Sequence, residues 1–140
     1  MKNIILFFAT VFILSTNAKA QEQANRKYLQ VHTIYLNITA ENMNVNVDSL
    51  LQLYKKMLFD KNPFYLNTKI VRHWYGHDSR EVLVMSELKS WDDIAKADAK
   101  RDELISQAQH MPNMEAAGKM WFSIISPEHH SDEIYYVVTE

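Results

Sequence analysis

The sequence contains no cysteine, and this absence excludes several kinds of site at once. No disulfide can staple the chain, no thiolate can ligate a metal or act as a nucleophile, and no cysteine can carry a lipid anchor. Glycine is almost absent too, and the two glycines, Gly76 and Gly118, are too far apart to form a glycine-rich phosphate loop. A nucleotide-binding loop of that kind is therefore not expected.

The chain also lacks a hydrophobic run long enough to cross a membrane. Its longest apolar segment, residues 4–14, has eleven residues, whereas a spanning helix needs about 20. Lys2 precedes this run, and Ala18-Lys19-Ala20 follows it with small residues at the positions that a signal peptidase reads. We therefore predict a secretory signal over residues 1–20, cleaved after Ala20, and a periplasmic or secreted protein without a membrane anchor.

An excess of basic residues is likewise absent. Without residues 1–20 the chain carries 13 basic and 17 acidic residues, which is a formal charge of −4. A protein that binds the phosphate backbone of nucleic acid or an anionic lipid surface usually has the opposite balance. We therefore expect no nucleic-acid partner.

Hydrophobic periodicity predicts four strands and three helices in the remainder of the chain. Residues 21–27 are polar and are interpreted as a flexible leader, followed by one domain over residues 28–140. Asn46 is a suitable cap for the first helix. In chain order we predict a strand at 28–36, a helix at 47–59, strands at 68–75 and 81–88, a helix opened by Ser90 and running to Ala108, a shorter helix at 114–125, and a strand at 133–139.

This order, β-α-β-β-α-(α)-β, predicts an α+β fold of the ferredoxin-like type. Such a fold is a four-stranded antiparallel sheet with the helices on one face. The first and last strands are apolar on both of their faces, so the sheet face without helices needs another cover. The simplest cover is the same face of a second copy, which predicts a homodimer.

Two segments carry a resemblance to a known superfamily. The first strand, residues 28–34, and residues 84–94, Val-Met-Ser-Glu-Leu-Lys-Ser-Trp-Asp-Asp-Ile, resemble the dimeric α/β-barrel superfamily. This superfamily includes the antibiotic-biosynthesis-monooxygenase-like and NIPSNAP-like families, and residues 130–135 are similar to small exported proteins of this kind. The resemblance implies that two ferredoxin-like sheets pair as an α/β barrel. Because this fold hosts unrelated activities, function has to come from the site.

The resemblance also allows one activity to be tested residue by residue. Haem-degrading members carry an asparagine in the first strand, a tryptophan at the end of the third, and an iron-ligating histidine on the next helix. This sequence has His32, Leu88 and Asp98 at the matching positions. All three depart from the pattern, so we expect no haem and predict no cofactor.

His32, in the middle of the first strand, is the leading candidate for a functional side chain. Imidazole titrates near neutral pH, so it can act as a base or orient a polar ligand. The alternative is a histidine of the core or dimer interface that is bonded to one neighbour. His73 and His77 are four residues apart, but a strand end and a turn do not place that spacing on one face. No metal site is predicted.

Aromatic side chains supply the candidates for a ligand pocket. Each also has an ordinary interpretation: Trp91 packs over a helix start, Trp121 lies on an apolar helix stripe, and Trp74 lies at the dimer seam. The candidate ligand-binding residues are His73, Trp74, Trp91 and Trp121.

The functional hypothesis is an exported protein that binds a small apolar or aromatic ligand, or that is associated with stress, without a recognisable catalytic set. One alternative is a cofactor-independent oxygenase or isomerase that acts on an aromatic small molecule with His32 as its base. The other is a structural or partner-binding module whose second sheet face meets a different protein.

Overall fold

One antiparallel sheet with helices on one face makes up the fold, in a computed structural model that describes residues 26–76, 78–110 and 112–138. The spatial strand order is β2-β3-β1-β4. The elements are β1 (Tyr28–Leu36), α1 (Val47–Tyr54), a π-helical turn (Lys55–Phe59) that continues α1, β2 (Tyr65–Arg72), β3 (Glu81–Leu88), α2 (Asp92–Gln109), α3 (Pro112–Ile124) and β4 (Ile125–Tyr136). The predicted α+β ferredoxin-like order is confirmed.

Part of what the sequence predicts falls outside this description. The signal at residues 1–20, most of the leader at 21–27, His77 and Thr139 lie outside the described residues. Among the residues that are described, no helix combines the length and apolar content that crossing a bilayer requires.

The sequence predicted the bounds of two strands and the start of α1 well, because local side chains determine them. The β1 and β3 bounds are confirmed. Asn46 caps α1 as predicted, because its Oδ1 accepts a hydrogen bond from the backbone nitrogen of Ser49 at 3.0 Å.

The prediction for β2 was wrong by three residues at each end. The strand begins at Tyr65, whose buried ring packs on Phe59 with the ring centroids 5.7 Å apart. It ends at Arg72, because His73 bonds to loop carbonyls and the next two residues turn away from the sheet. Trp74 and Tyr75, expected in the strand, are almost fully exposed.

The prediction for β4 was wrong at both ends, since the strand ends at Tyr136, three residues before the predicted end at Thr139. The strand begins at Ile125, directly after α3, eight residues earlier than expected. It pairs with β1 from Leu36 opposite Ile125 to Tyr28 opposite Tyr136, with a bulge near its start. An edge strand tolerates Pro127, because one side of its backbone needs no hydrogen-bond partner within the sheet.

The alternation of buried and half-buried side chains along β3 shows which face of the sheet the helices cover. The side chains of Val82, Val84, Ser86 and Leu88 are buried under the helices, and those between them are only half-buried. The register places the even-numbered residues of β1, including His32, on the covered face. No described element covers the other face, which carries Leu29, Val31, Thr33, Tyr35, Leu83, Met85 and Val71.

The core under the helices consists of two clusters rather than one. The first contains Leu36, Val47, Leu50, Leu51, Val82, Trp121 and Ile124. The second contains Leu58, Phe59, Tyr65, Val84, Leu88, Ala97 and Leu104. Ile34, Tyr54 and Ile70 pack against both clusters, so they mark the place where the two meet.

Candidate functional site

A cavity of about 280 Å³ lies between the sheet and the helices where the two core clusters meet. We call it the inner cavity. Its lining includes three ionisable side chains from three different elements, His32 on β1, Arg101 on α2 and Asp132 on β4, together with Thr33. Its apolar lining includes Ile34, Tyr54, Leu58, Phe59, Ile70 and Trp121. A mostly apolar cavity with a few converging polar groups is the usual form of a small-molecule site.

His32 is held from two sides within this cavity. Its Nδ1 lies 2.6 Å from Oδ1 of Asp132, which the strand register places directly opposite. Its Nε2 lies 3.3 Å from Nη1 of Arg101. Because a guanidinium can only donate, Nε2 is the acceptor and Nδ1 carries the proton that is donated to Asp132. The geometry therefore assigns one neutral tautomer, with Nε2 unprotonated.

Arg101 reaches the cavity from the buried stripe of α2. Ala97 and Leu104, on the same stripe, are buried in the core. The Arg101 Nη1 atom also lies 3.2 Å from Oδ1 of Asp98. Two carboxylates, those of Asp98 and Asp132, thus accompany one guanidinium around His32, so the cluster offers no net positive charge to a ligand.

Two phenols close to this cluster stay protonated in the neutral range. Burial raises the pKa of Tyr54 and the pKa of Tyr65, and the charge of Arg101 opposes the shift without cancelling it. The hydroxyl of Tyr65 lies 3.5 Å from Oε1 of the buried Gln30. These two groups can donate hydrogen bonds, but they cannot serve as bases near pH 7.

A stacked aromatic pair forms one wall of the inner cavity. The rings of Tyr54 and Trp121 lie 4.1 Å apart between centroids and only 15° from parallel. Trp121 is buried, as its place on the helical stripe predicted, and it also lines the cavity. The pair connects α1 to α3 and gives the cavity a flat apolar surface.

The other predicted ligand-binding residues lie elsewhere. Trp91 is more than half exposed and places the edge of its ring system on Tyr28, at a centroid distance of 5.7 Å. His73 and Trp74 line a separate concavity in the loop between β2 and β3. Of the five candidates, the structure therefore brings only His32 and Trp121 together in the inner cavity.

The loop between β2 and β3 is organised around the ring of His73. Nε2 lies 2.7 Å from the carbonyl oxygen of Tyr75, and Nδ1 contacts the carbonyl oxygen of Asp78. Carbonyls only accept, so both contacts are satisfied when the ring carries two protons. Gly76 adopts φ of 130° beside this ring, and a Cβ there would come within 2.9 Å of Nε2. The loop thus requires glycine at this position.

Sequence reasoning missed Arg101 and Asp132 as members of the site. Arg101 has a detectable signal, because it is a charged residue on the apolar stripe of α2. Asp132 has none, because its contact with His32 depends on the register of an edge strand. Among the described residues, no three histidine or acidic side chains converge in a way that could hold a metal ion.

Comparison with known proteins gives the fold. No protein-family model and no curated protein matches the chain. Three solved structures that match are a dimeric ferredoxin-like protein from an uncultured marine organism, a dimeric ferredoxin-like protein of unknown function from Thermobifida fusca YX, and SnoaB, a cofactor-independent oxygenase from Streptomyces nogalater.

The marine protein is 11% identical, with a TM-score of 0.54 over 86% of this chain and 96% of that protein. The Thermobifida protein is 11% identical, with a TM-score of 0.50 over 81% of this chain and 92% of that protein. SnoaB is 10% identical, with a TM-score of 0.49 over 81% and 95%. The predicted resemblance is confirmed at the level of the ferredoxin-like fold.

The loop around His73 should lose stability as the pH rises. Hydrogen bonds to the carbonyls of Tyr75 and Asp78 raise the pKa of His73 above its usual value, and the carboxylates of Glu81 and Asp78 act in the same direction. A raised folded-state pKa stabilises the protein below the unfolded-state value of about 6.5, and this contribution is lost as the pH rises through the folded-state value. The unfolding free energies of the natural protein and of His73→Gln should therefore differ more at pH 5.5 than at pH 9 in urea titrations.

Trp74→Ala is the control for this measurement, because it changes the neighbouring exposed side chain without removing a titrating group. Its effect on the unfolding free energy should be the same at both pH values. A His73→Gln effect that is equally independent of pH would contradict the doubly protonated ring.

Proposed function

We propose that this protein is exported and binds a small apolar or aromatic ligand in the inner cavity. The observation that carries the proposal is the cavity itself, which interrupts the core and is lined by apolar walls with His32, Arg101 and Asp132. The cavity is open to solvent on one side, since the Asp132 side chain in its lining is 59% exposed, so a ligand can enter it without unfolding of the core. Export is supported by the signal-like pattern of residues 1–20.

The charges around the cavity favour an uncharged ligand. Asp98 and Asp132 together outweigh Arg101, so a ligand carboxylate would meet more negative than positive charge. A neutral hydroxyl or carbonyl oxygen can still be recognised, because it can accept a hydrogen bond from the Arg101 guanidinium. A hydroxyl can also donate to Nε2 of His32 when it takes the place of Nη1 of Arg101, since Nε2 has a single lone pair. A cavity of about 150 Å³ accommodates benzene. The inner cavity therefore suits one or two aromatic rings with a single neutral polar group.

We expect 2-naphthol to bind at pH 7 and His32→Leu to weaken its binding about tenfold. The loss corresponds to one hydrogen bond, which contributes roughly 1 to 1.5 kcal/mol. Isothermal titration calorimetry measures both affinities, and 2-naphthoate should bind more weakly than 2-naphthol. The matched control is His110→Leu, an exposed histidine at the end of α2, which should leave the affinity unchanged. Equal affinities for the two histidine variants would argue against this site.

The open face of the sheet supports a homodimer. Val31 and Met85 lie opposite each other on that face, with further apolar residues on both sides of them. The two ferredoxin-like proteins with the TM-scores of 0.54 and 0.50 are described as dimeric. A two-fold pair in which each sheet covers the other would remove this apolar surface from water.

Light scattering coupled to size exclusion should therefore give twice the mass of one chain at micromolar concentration. Val31→Lys introduces a charge into the open face, so we expect it to shift the protein to the monomer mass. Val138→Lys, at a highly exposed position beyond β4, is the control and should remain dimeric. A natural protein that is monomeric would instead favour a module whose sheet face binds a different protein.

A second candidate function, proton transfer with His32 as the base, is favoured by the contact between His32 and Asp132. A carboxylate that accepts the Nδ1 proton fixes the tautomer, and Nε2 can take a proton from a carbon acid once the ligand displaces Nη1 of Arg101 from it. An isomerase would return that proton to another atom of the ligand. A cofactor-independent oxygenase would let the resulting carbanion transfer electrons to molecular oxygen.

This candidate predicts that the protein accelerates deuterium uptake at C1 of 2-tetralone in D₂O, followed by proton NMR. His32→Gln should abolish the acceleration, because a positioned base contributes about 10²- to 10⁴-fold. Asp132→Asn should reduce it about tenfold or more, because the tautomer is no longer fixed. Uptake at the uncatalysed rate with the natural protein, despite binding of 2-naphthol, would leave ligand binding as the function.

A further inference from the structure

A second cavity of about 260 Å³ lies between α1, α2 and α3 and also borders the Tyr54–Trp121 pair. We call it the outer cleft. It shares Tyr54, Leu58, Ile105 and Trp121 with the inner cavity, so these four side chains form a common wall. None of the polar residues of the inner cavity, His32, Arg101 and Asp132, lines the outer cleft. The two spaces therefore offer different chemistry to a ligand.

The outer cleft offers apolar surface and no uncompensated charge. Beyond the common wall it is lined by Ala108, Gly118 and Phe122. Its charged lining residues, Glu115 and Lys119, bond to each other across one helical turn at 2.7 Å, and both side chains are well exposed to solvent. Phe122 faces this space although its side chain is 76% exposed. An uncharged apolar molecule binds such a surface most favourably, because it removes the apolar side chains from water.

Gly118 lines this space without adding a side chain to it. It lies inside α3, where glycine is less favourable than any residue except proline. No other element approaches it closely, since a Cβ built at this position meets nothing within 4 Å. A methyl group would therefore fit at this position without contact, whereas a longer side chain would extend into the outer cleft.

We propose that the outer cleft is a second ligand site, specific for an uncharged aromatic or aliphatic molecule of about one to two rings. The size follows from its volume, since about 150 Å³ accommodates benzene. Binding here depends on shape and apolar contact with Trp121 and Phe122, and it needs no hydrogen bond from His32. The site is independent of ligand recognition in the inner cavity, although the common wall lets occupancy of one space influence the other.

The test uses N-phenyl-1-naphthylamine, an uncharged probe whose fluorescence rises in apolar surroundings. Gly118→Leu places a side chain in the outer cleft, and we expect it to weaken probe binding at least tenfold. Gly118→Ala is the matched control, because it gives the same kind of gain in helix propensity with one methyl group, and it should change the affinity less than threefold. Equal affinities of the two variants, or no binding by the natural protein, would overturn the proposal.

A second pair of variants tests the outer cleft even if the Gly118→Leu protein does not fold. Phe122→Ala removes an exposed ring from the cleft and should weaken probe binding about threefold or more. Met120→Ala, which changes a partly exposed residue of α3 outside the cleft, should have no effect. If both variants bind the probe as the natural protein does, the outer cleft is not its site.

Testing each probe against each variant distinguishes binding in the inner cavity from binding in the outer cleft. His32→Leu should leave binding of N-phenyl-1-naphthylamine intact, and Gly118→Leu should leave binding of 2-naphthol intact. If His32→Leu weakens the binding of both probes, the naphthylamine lies in the inner cavity and the second site is wrong. If 2-naphthol does not bind but Gly118→Leu still blocks the naphthylamine, the function proposed for the inner cavity fails and the outer site stands.

Discussion

The guanidinium of Arg101 projects from the apolar stripe of α2 and needs ion-pair and hydrogen-bond partners beneath the helix. A charged group that is partly removed from water is tolerated only when it is paired and hydrogen-bonded. Arg101 meets this requirement by contacting Asp98 on its own helix and His32 on β1. His32 in turn contacts Asp132 of β4. Within the described residues, no buried side-chain nitrogen or oxygen lacks a partner. One charge thus connects α2 to two strands.

The core is divided at the place where this polar cluster lies. Its apolar residues gather in two clusters, and His32 and Arg101 line the inner cavity where those clusters meet. Tyr54 and Trp121 span the division with a flat stacked surface. The inner cavity takes its polarity from Arg101 and His32, whereas neither residue lines the outer cleft. Two spaces of different polarity therefore share Tyr54 and Trp121 in their linings.

The sequence predicted the order of the elements because hydrophobic periodicity is a local property. It could not predict which face His32 occupies, because β1 is apolar on both faces. The neighbouring β3 contains the missing information, since Glu81 and Glu87 fall on the parity that is less buried. Arg101 was predictable in principle from its place among buried residues of α2. Asp132 and the early start of β4 were not predictable, because both depend on pairing with β1. Asp132 pairs with His32, 100 residues earlier in the chain, and Ile125 pairs with Leu36, 89 residues earlier.

The open face and the inner cavity are linked through β1, because successive residues of a strand belong to opposite faces. His32 faces the cavity, whereas Val31 and Thr33 face the open side. Asp132, which holds Nδ1 of His32, belongs to an edge strand and is itself largely exposed. Edge strands open more readily than central ones, because they are held on one side only. The proposed second copy would pack on Leu29 of β1 and on Tyr135, which lies opposite it in β4, and it would hold this strand pair together. Pairing of two sheets would then fix the His32 tautomer as well as cover apolar surface, so the dimer and the ligand site depend on the same two strands.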